Sequence, residues 1–168
     1  VARVQAAIQA LTGKDARYLQ VIIGQLVSLF RDGEPVRMSK RTGEIVTLQE
    51  VIDEIGVDAA RYFMNKTSYD NALEFDLALA KKQSSENPVF YVQYAHARIC
   101  SILRQPEAAA FLNQSSTITK LLPQERALIM YLLRFPEEIE LICKNFSIQR
   151  LTTYAETLAQ KFHVFYHD

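Results

Sequence analysis

Signals for the start of an α-helix recur along most of the chain, and they constrain the fold more than any other feature. Side chains that cap helices stand at Thr47, Asp76, Asn87 and Ser147, and proline occupies a first-turn position at residues 88, 123 and 136. Such residues satisfy or avoid the free N–H groups of a first helical turn. After about residue 44 no segment has the pattern of a strand. The sequence therefore predicts a mostly helical fold.

The first 44 residues have a different character. Val21, Ile22 and Ile23 are consecutive and β-branched, which is typical of a strand buried on both faces of a parallel sheet. Asp32-Gly33 is a turn signal, after which the chain can return as a short strand. We expect this part to belong to a sheet-containing domain that is followed by a helical bundle.

The charge of the chain is neutral only as a sum. Its 168 residues carry 19 basic and 19 acidic side chains. Residues 1–43 contain seven basic and three acidic groups, residues 44–76 two and eight, and residues 77–168 ten and eight. The total alone argues against a nucleic-acid binder, but the first and last regions are locally basic. No apolar run approaches the roughly 18 residues that a membrane span needs, and we expect no membrane association.

A short basic segment follows the predicted strand. Arg37, Lys40 and Arg41 lie within five residues, around Met38 and Ser39 and just before Thr42-Gly43. Lysine supplies a mobile charge, arginine a bidentate donor and serine a hydroxyl, a combination that suits a triphosphate. The alternative is a solvated surface loop, because most charge runs only face water.

The helix that begins at Pro88 has two distinct faces by its spacing. One is predicted to be the buried stripe and consists of Val89, Val92, His96, Ile99, Cys100 and Leu103. Tyr91, Tyr94 and Arg98 fall on the other face, where aromatic rings can stack on unpaired bases and arginine can bind phosphate. The alternative is that both tyrosines pack on a neighbouring helix. We interpret His96 as a core histidine and assign no role to His163 or His167.

Several blocks of the sequence resemble one enzyme family. Arg37-Met-Ser-Lys-Arg41 resembles the lysine-methionine-serine-lysine-serine signature of class I aminoacyl-tRNA synthetases, with arginine at its first and last positions. Three further blocks are similar to arginyl-tRNA synthetases in particular, namely Val57-Asp-Ala-Ala-Arg-Tyr-Phe63, Leu73-Glu-Phe-Asp-Leu77 and Asn87-Pro-Val-Phe-Tyr-Val-Gln-Tyr-Ala-His-Ala-Arg98. The order of these blocks is much more specific than any one of them.

The resemblance implies a mostly α fold, in which the C-terminal remnant of a Rossmann-type α/β catalytic domain precedes an α-helical anticodon-binding bundle. The implied boundaries are residues 1–70 for the catalytic part, with the signature loop at 37–43, then 71–86 for a helical connector and 87–168 for the bundle. The implied activity joins L-arginine to its tRNA through an adenylate. Lys40 is the expected catalytic residue, and the ATP site is expected to comprise Arg37, Met38, Ser39, Lys40 and Arg41.

The same resemblance implies the partners. ATP with Mg²⁺, arginine and the tRNA for arginine are expected, with Tyr91, Tyr94 and Arg98 contacting the tRNA. We expect no tightly bound cofactor or structural metal, since no cluster has zinc-ligand spacing, a monomeric enzyme, and a cytoplasmic location.

Two other interpretations remain open. The His-x-Gly-His signature of class I synthetases does not occur in the chain, so we expect a fragment that is inactive alone. It could instead belong to another class I synthetase, such as the cysteinyl enzyme. A stand-alone helical RNA-binding protein without catalysis is the second alternative.

Overall fold

The structure is a computed structural model that describes residues 1–15, 18–36, 46–112 and 120–167. The predicted fold class is confirmed: the described chain is mostly helical, with a small sheet before the main helical bundle. The elements in chain order are α1 (Ala2–Thr12), β1 (Val27–Arg31), β2 (Glu34–Pro35), α2 (Leu48–Ile55), α3 (Val57–Lys66), β3 (Leu73–Asp76), α4 (Leu77–Lys81), α5 (Pro88–Leu103), α6 (Pro106–Leu112), α7 (Pro123–Leu132), α8 (Phe135–Asn145) and α9 (Gln149–His167).

The sheet has three short strands in the order β2-β1-β3. β1 and β2 form an antiparallel hairpin whose turn is Asp32-Gly33, and both turn residues have positive φ, 52° and 82°. That conformation matches the two-residue hairpin turn whose twist suits the flanking strands. β3 pairs with β1 in parallel, with Val27 opposite Leu73 and Phe30 opposite Asp76. The sheet is therefore mixed.

Two strand predictions are wrong. Val21, Ile22 and Ile23 lie outside any strand and are 41%, 47% and 68% exposed. The strand lies instead at Val27–Arg31, where β3 supplies a partner. β3 itself was missed, although Leu73 to Asp76 alternates between buried and more exposed side chains. β-Branched composition expresses a preference, whereas hydrogen bonding to a neighbouring strand decides which residues pair.

The helix-start predictions largely hold. Thr47 and Glu50 form a reciprocal capping box at α2, and the carboxylate of Asp76 accepts hydrogen bonds from the first N–H groups of α4. Asn87 caps α5 in the same way. Ser147 is the exception, because its hydroxyl is buried without a hydrogen-bond partner. Backbone bonds close that turn instead, since the Arg150 N–H donates to the Ser147 carbonyl over 3.0 Å.

Two apolar clusters stabilise the described chain. The first surrounds the sheet and unites α2, α3 and α4 with the start of α5, through Leu29, Val51, Ala59, Phe63, Leu73, Phe75, Leu77, Ala80 and Val89. The second lies between α5 and α9 and is built on Ala95, Ala159 and Phe162. Helix α5 therefore contributes to both clusters, Val89 to one and Ala95 to the other. It connects the sheet-containing part to the bundle.

Helix α9 packs against α3, α5, α7 and α8. The connection between α5 and α7 includes the short helix α6. No helix within the described ranges is long and apolar enough to cross a membrane.

Candidate nucleic-acid interface

Asn87 fixes the position and direction of α5. Its amide is buried, the Oδ1 atom accepts from the Val89 N–H over 3.0 Å, and Nδ2 donates to the carbonyl oxygens of Ala80 and Lys82 at 3.0 and 2.8 Å. These carbonyls lie at the end of α4, where no further helical turn can supply N–H donors. One side chain thereby starts α5 and ties it to α4. The aromatic residues of the first two turns of α5 are held relative to the sheet as a result.

The face of α5 that carries the tyrosines is directed toward α9. The ring centroid of His163 lies 4.9 Å from that of Tyr91 and 5.7 Å from that of Tyr94. Tyr94 is also stacked with Phe90 at 6.4 Å and remains 50% exposed. Burial raises the pKa of Tyr91. The alternative in which the tyrosines contact a neighbouring helix therefore describes their position, although Tyr94 keeps half of its surface free.

Arg98 lies one turn beyond Tyr94 on the same helix. Its guanidinium stands 4.5 Å from the ring centroid of Tyr166 and donates a hydrogen bond to the Tyr166 hydroxyl. This cation–π contact leaves Arg98 at the surface. Tyr91, Tyr94 and Arg98 are thus brought to one side of α5, and each has an aromatic neighbour from α9.

The predicted buried stripe of α5 holds at Val89 and Val92 but is wrong further along the helix. His96 is exposed rather than buried, and Ile99 and Leu103 are also exposed. The residue of α5 that is buried against α9 is Ala95, and Tyr91, Val92 and Ile102 pack around the cluster it forms with Ala159 and Phe162. Alanine at residue 95 permits close approach to Ala159 of α9, and the partly buried Tyr91 packs against the same cluster. The prediction assigned Tyr91 to the face opposite the buried stripe, whereas in the structure Tyr91 packs against the buried cluster. Beyond Val92 the predicted stripe therefore lies on a different side of the helix from the observed one.

Sequence reasoning missed the contribution of α9 to this surface. His163 contacts both tyrosines, its Nε2 atom is buried without a hydrogen-bond partner, and Tyr166 holds Arg98. Burial, aided by the nearby His167, lowers the pKa of His163 and so favours the neutral ring. The aromatic density of residues 162–167 was the available signal. The partner helix could not be identified from it.

The predicted ATP loop lies outside the described residues. This applies to Arg37, Met38, Ser39, Lys40 and Arg41 alike. The residues that flank the loop are described, since Val36 and Val46 both pack against the cluster around the sheet. The described residues on either side of the loop therefore pack on the same apolar core.

A surface ion network lies beside this part of the sheet. The carboxylate of Glu54 accepts hydrogen bonds from Arg31 and from Lys81, each at 2.8 Å. These contacts, with Lys81 foremost, lower the pKa of Glu54.

Among the described residues no group of three or more His, Cys, Asp or Glu side chains could hold a metal ion.

Each of the two parts of the chain matches the model of a known protein family. Residues 3–76 match the model of class I tRNA synthetases (I, L, M and V), and residues 92–168 match the DALR anticodon binding domain. The mixed sheet followed by a helical bundle is therefore that of a class I aminoacyl-tRNA synthetase, in the segment where catalytic domain and anticodon-binding domain meet.

The similar proteins specify the family. The chain is 49% identical over its whole length to the arginine–tRNA ligase of Caldanaerobacter subterraneus and 48% identical over 99% of its length to that of Heliobacterium modesticaldum. It belongs to the arginyl-tRNA synthetase family and spans about 30% of the length of these relatives.

Solved structures agree with this family. A crystal structure from Campylobacter jejuni, described as a candidate arginyl-tRNA synthetase, superimposes with a TM-score of 0.84 at 33% identity, over 98% of this chain and 36% of the other. The Thermus thermophilus arginyl-tRNA synthetase, at 24% identity, shares the fold with a TM-score of 0.72 over 98% of this chain and 30% of the other.

Proposed function

We propose that the whole protein is an arginine–tRNA ligase that activates L-arginine with ATP and transfers it to the tRNA for arginine. The observation that carries this proposal is the near-50% identity along the entire chain to curated arginine–tRNA ligases. The reaction passes through arginyl-adenylate. The carboxylate of arginine attacks the α-phosphate of ATP with release of pyrophosphate, and a ribose hydroxyl of the terminal tRNA nucleotide then displaces AMP.

In the proposed division of labour, residues 1–70 close the catalytic domain, residues 71–86 form a helical connector and residues 87–168 form the anticodon-binding domain. The two family models, which match residues 3–76 and 92–168, support this arrangement.

The proposed ATP site is the basic segment after β2. Lys40 stabilises the charge that builds on the β- and γ-phosphates as pyrophosphate leaves, which is an electrostatic role. Arg37 and Arg41 clamp the same phosphates, while Ser39 and the backbone near Met38 supply further contacts. The packing of the flanking valines, Val36 and Val46, on the sheet core supports a site beside the sheet.

The proposed tRNA surface includes Tyr91, Tyr94 and Arg98. Aromatic rings beside a surface arginine suit unpaired bases and phosphates. We further propose that ATP enters as its Mg²⁺ complex, that the enzyme needs no tightly bound cofactor or structural metal, and that it acts as a cytoplasmic monomer without membrane association.

The direct test is ATP-dependent charging by the whole protein of tRNA transcripts for arginine and for cysteine. We expect arginine to be esterified to its own tRNA and cysteine not to be transferred. Charging of cysteine would assign the chain to the cysteinyl alternative. Binding of tRNA without any charging would make it a non-catalytic RNA-binding protein, and either result contradicts the proposal.

The role of Lys40 is tested by Lys40→Ala in the whole protein. Loss of one preorganised donor to the transition state lowers the rate on the order of 100-fold, and we expect arginine affinity to stay unchanged. The assay is pyrophosphate exchange at saturating tRNA. Lys14→Ala, which removes the same charge from an exposed position, is the matched control. Equal exchange rates in the two variants would refute the assignment.

A further inference from the structure

Helix α5 brings a histidine and a cysteine together on a face that the proposed function does not use. His96 and Cys100 are four residues apart, so the helical repeat places them on the same side of α5, one turn apart. The Nε2 atom of His96 lies 3.6 Å from the Sγ atom of Cys100. His96 is exposed, and Cys100 is a half-buried free thiol. Two atoms that can ligate a metal are therefore adjacent on the surface of the helix.

Neither side chain is engaged elsewhere in the described part of the chain. There, the imidazole of His96 and the thiol of Cys100 make no other hydrogen bond, ion pair or ring contact. They lie about 100° and 140° around the helix from Ala95, which packs on α9. Tyr94 and Arg98 lie about 100° and 60° from Ala95 in the opposite direction. The pair is thus separate from the proposed tRNA surface.

The separation of the two atoms fits a single tetrahedral metal ion. In zinc sites the Zn–N bond is about 2.0–2.1 Å long and the Zn–S bond about 2.3 Å. At the tetrahedral angle these lengths place nitrogen and sulfur about 3.5–3.6 Å apart, and the observed separation is 3.6 Å. A cation can therefore bind both atoms without a change in the helix.

The donor types select the class of cation. Imidazole nitrogen and thiolate sulfur suit zinc, whereas Mg²⁺ prefers oxygen ligands. Among the described residues, no third His, Cys, Asp or Glu joins the pair to form a larger metal-binding group. Two of the four tetrahedral positions are therefore left to water. Such an open site exchanges its metal, unlike the closed four-ligand sites that stabilise a fold.

We infer that His96 and Cys100 form an exchangeable surface site for Zn²⁺, which binds the Nε2 atom and the Sγ thiolate. Binding forms one Zn–N and one Zn–S bond and releases the thiol proton to solvent, so no oxidant or reductant is required. The bound thiolate is shielded from electrophiles. The site is independent of the proposed ligase activity, and it agrees with an enzyme that needs no structural metal.

The test is the rate at which iodoacetamide alkylates each cysteine of the whole protein, measured by mass spectrometry of its peptides. Cys143 is the internal control, because it is exposed and has no histidine three or four positions away. At about ten times the Zn²⁺ concentration that gives half-protection, the unoccupied fraction falls about 10-fold. We expect alkylation of Cys100 to slow by that factor and alkylation of Cys143 to stay unchanged. Mg²⁺ at the same concentration should protect neither cysteine.

The variant His96→Gln separates the pair from the thiol alone. Glutamine keeps a polar, helix-forming side chain at this exposed position, but it lacks the imidazole ligand. Two linked ligands bind about 100-fold or more tightly than one, so half-protection of Cys100 in the variant should need a correspondingly higher Zn²⁺ concentration. Equal half-protection concentrations in the two proteins would overturn the inference. So would the absence of protection of Cys100 in the wild type, or equal protection of Cys143.

Discussion

Substitution of Asn87 gives the sharpest test of how the two parts of the chain are joined. An ordinary N-cap accepts one hydrogen bond, and asparagine and aspartate are nearly equivalent there. Asn87 also donates from Nδ2 to two carbonyl oxygens of the α4 end, at 3.0 and 2.8 Å. The amide therefore acts as a cap and as a cross-link at once.

The magnitude for Asn87→Ala follows from these contacts. Loss of the cap costs about 0.5–2 kcal/mol, and each lost bond to a carbonyl about 0.5–1.5 kcal/mol. Because these contributions overlap, we expect a decrease of roughly 2–4 kcal/mol in the free energy of unfolding. With a urea dependence of about 2 kcal/mol per molar, the midpoint falls by about 1–2 M.

The variant Asn87→Asp separates the two roles. It keeps the oxygen that accepts from Val89, but it places a carboxylate oxygen where Nδ2 faced the carbonyls of Ala80 and Lys82. We expect a loss at least as large as that of Asn87→Ala, because repulsion is added to the missing bonds.

The assay is urea denaturation followed by circular dichroism, with Asn65→Ala as the control. Asn65 makes one bond within its own helix, from Nδ2 to the Arg61 carbonyl at 2.8 Å, and alanine has the higher helix propensity. We expect its midpoint to stay close to that of the wild type. A wild-type midpoint for Asn87→Asp would refute the cross-link and leave only the cap.

Two further predictions concern the buried parts. Burial and the nearby Glu156 raise the pKa of Tyr62. The unfolded tyrosine therefore ionises above about pH 10, while the folded one stays protonated. As a result, the free energy of unfolding falls as pH rises above that value. Between about pH 9 and 11, the free energy of unfolding measured by urea denaturation should fall less steeply with pH for Tyr62→Phe than for the exposed control Tyr18→Phe. Equal slopes against pH would contradict this. Phe75 has no exposed surface, and Phe75→Ala should lower the free energy of unfolding by about 3–5 kcal/mol. Leu133→Ala, at an exposed position, should lower it by less than about 0.5 kcal/mol. Similar urea midpoints for the two variants would show that the sheet core contributes little.

The helix starts were the most predictable part of the fold. Thr47, Asp76 and Asn87 satisfy N–H groups two or three residues away, so their effect is encoded within one turn of chain. The strands were less predictable, because pairing requires a second segment. Val27 pairs with Leu73, 46 positions along the chain, and nothing near Val27 in the sequence marks that partner.

The candidate tRNA surface was predictable in part. The sequence placed Tyr91, Tyr94 and Arg98 on one face of α5, since helical periodicity alone sets which residues share a face. It could not establish which face is buried. Two alanines, Ala95 and Ala159, allow the close packing that decides it, and their pairing depends on how α9 folds back.

The sequence by itself determined the class of fold, the positions of the main caps and the family, because each depends on residue types in a fixed order along the chain. The tertiary structure alone decided that His163 meets the tyrosines of α5 and that a ring-lined cavity lies between α5 and α9. The physical reason is distance along the chain. Local hydrogen bonds and periodicity act over a few residues, whereas packing joins segments that are about 70 residues apart.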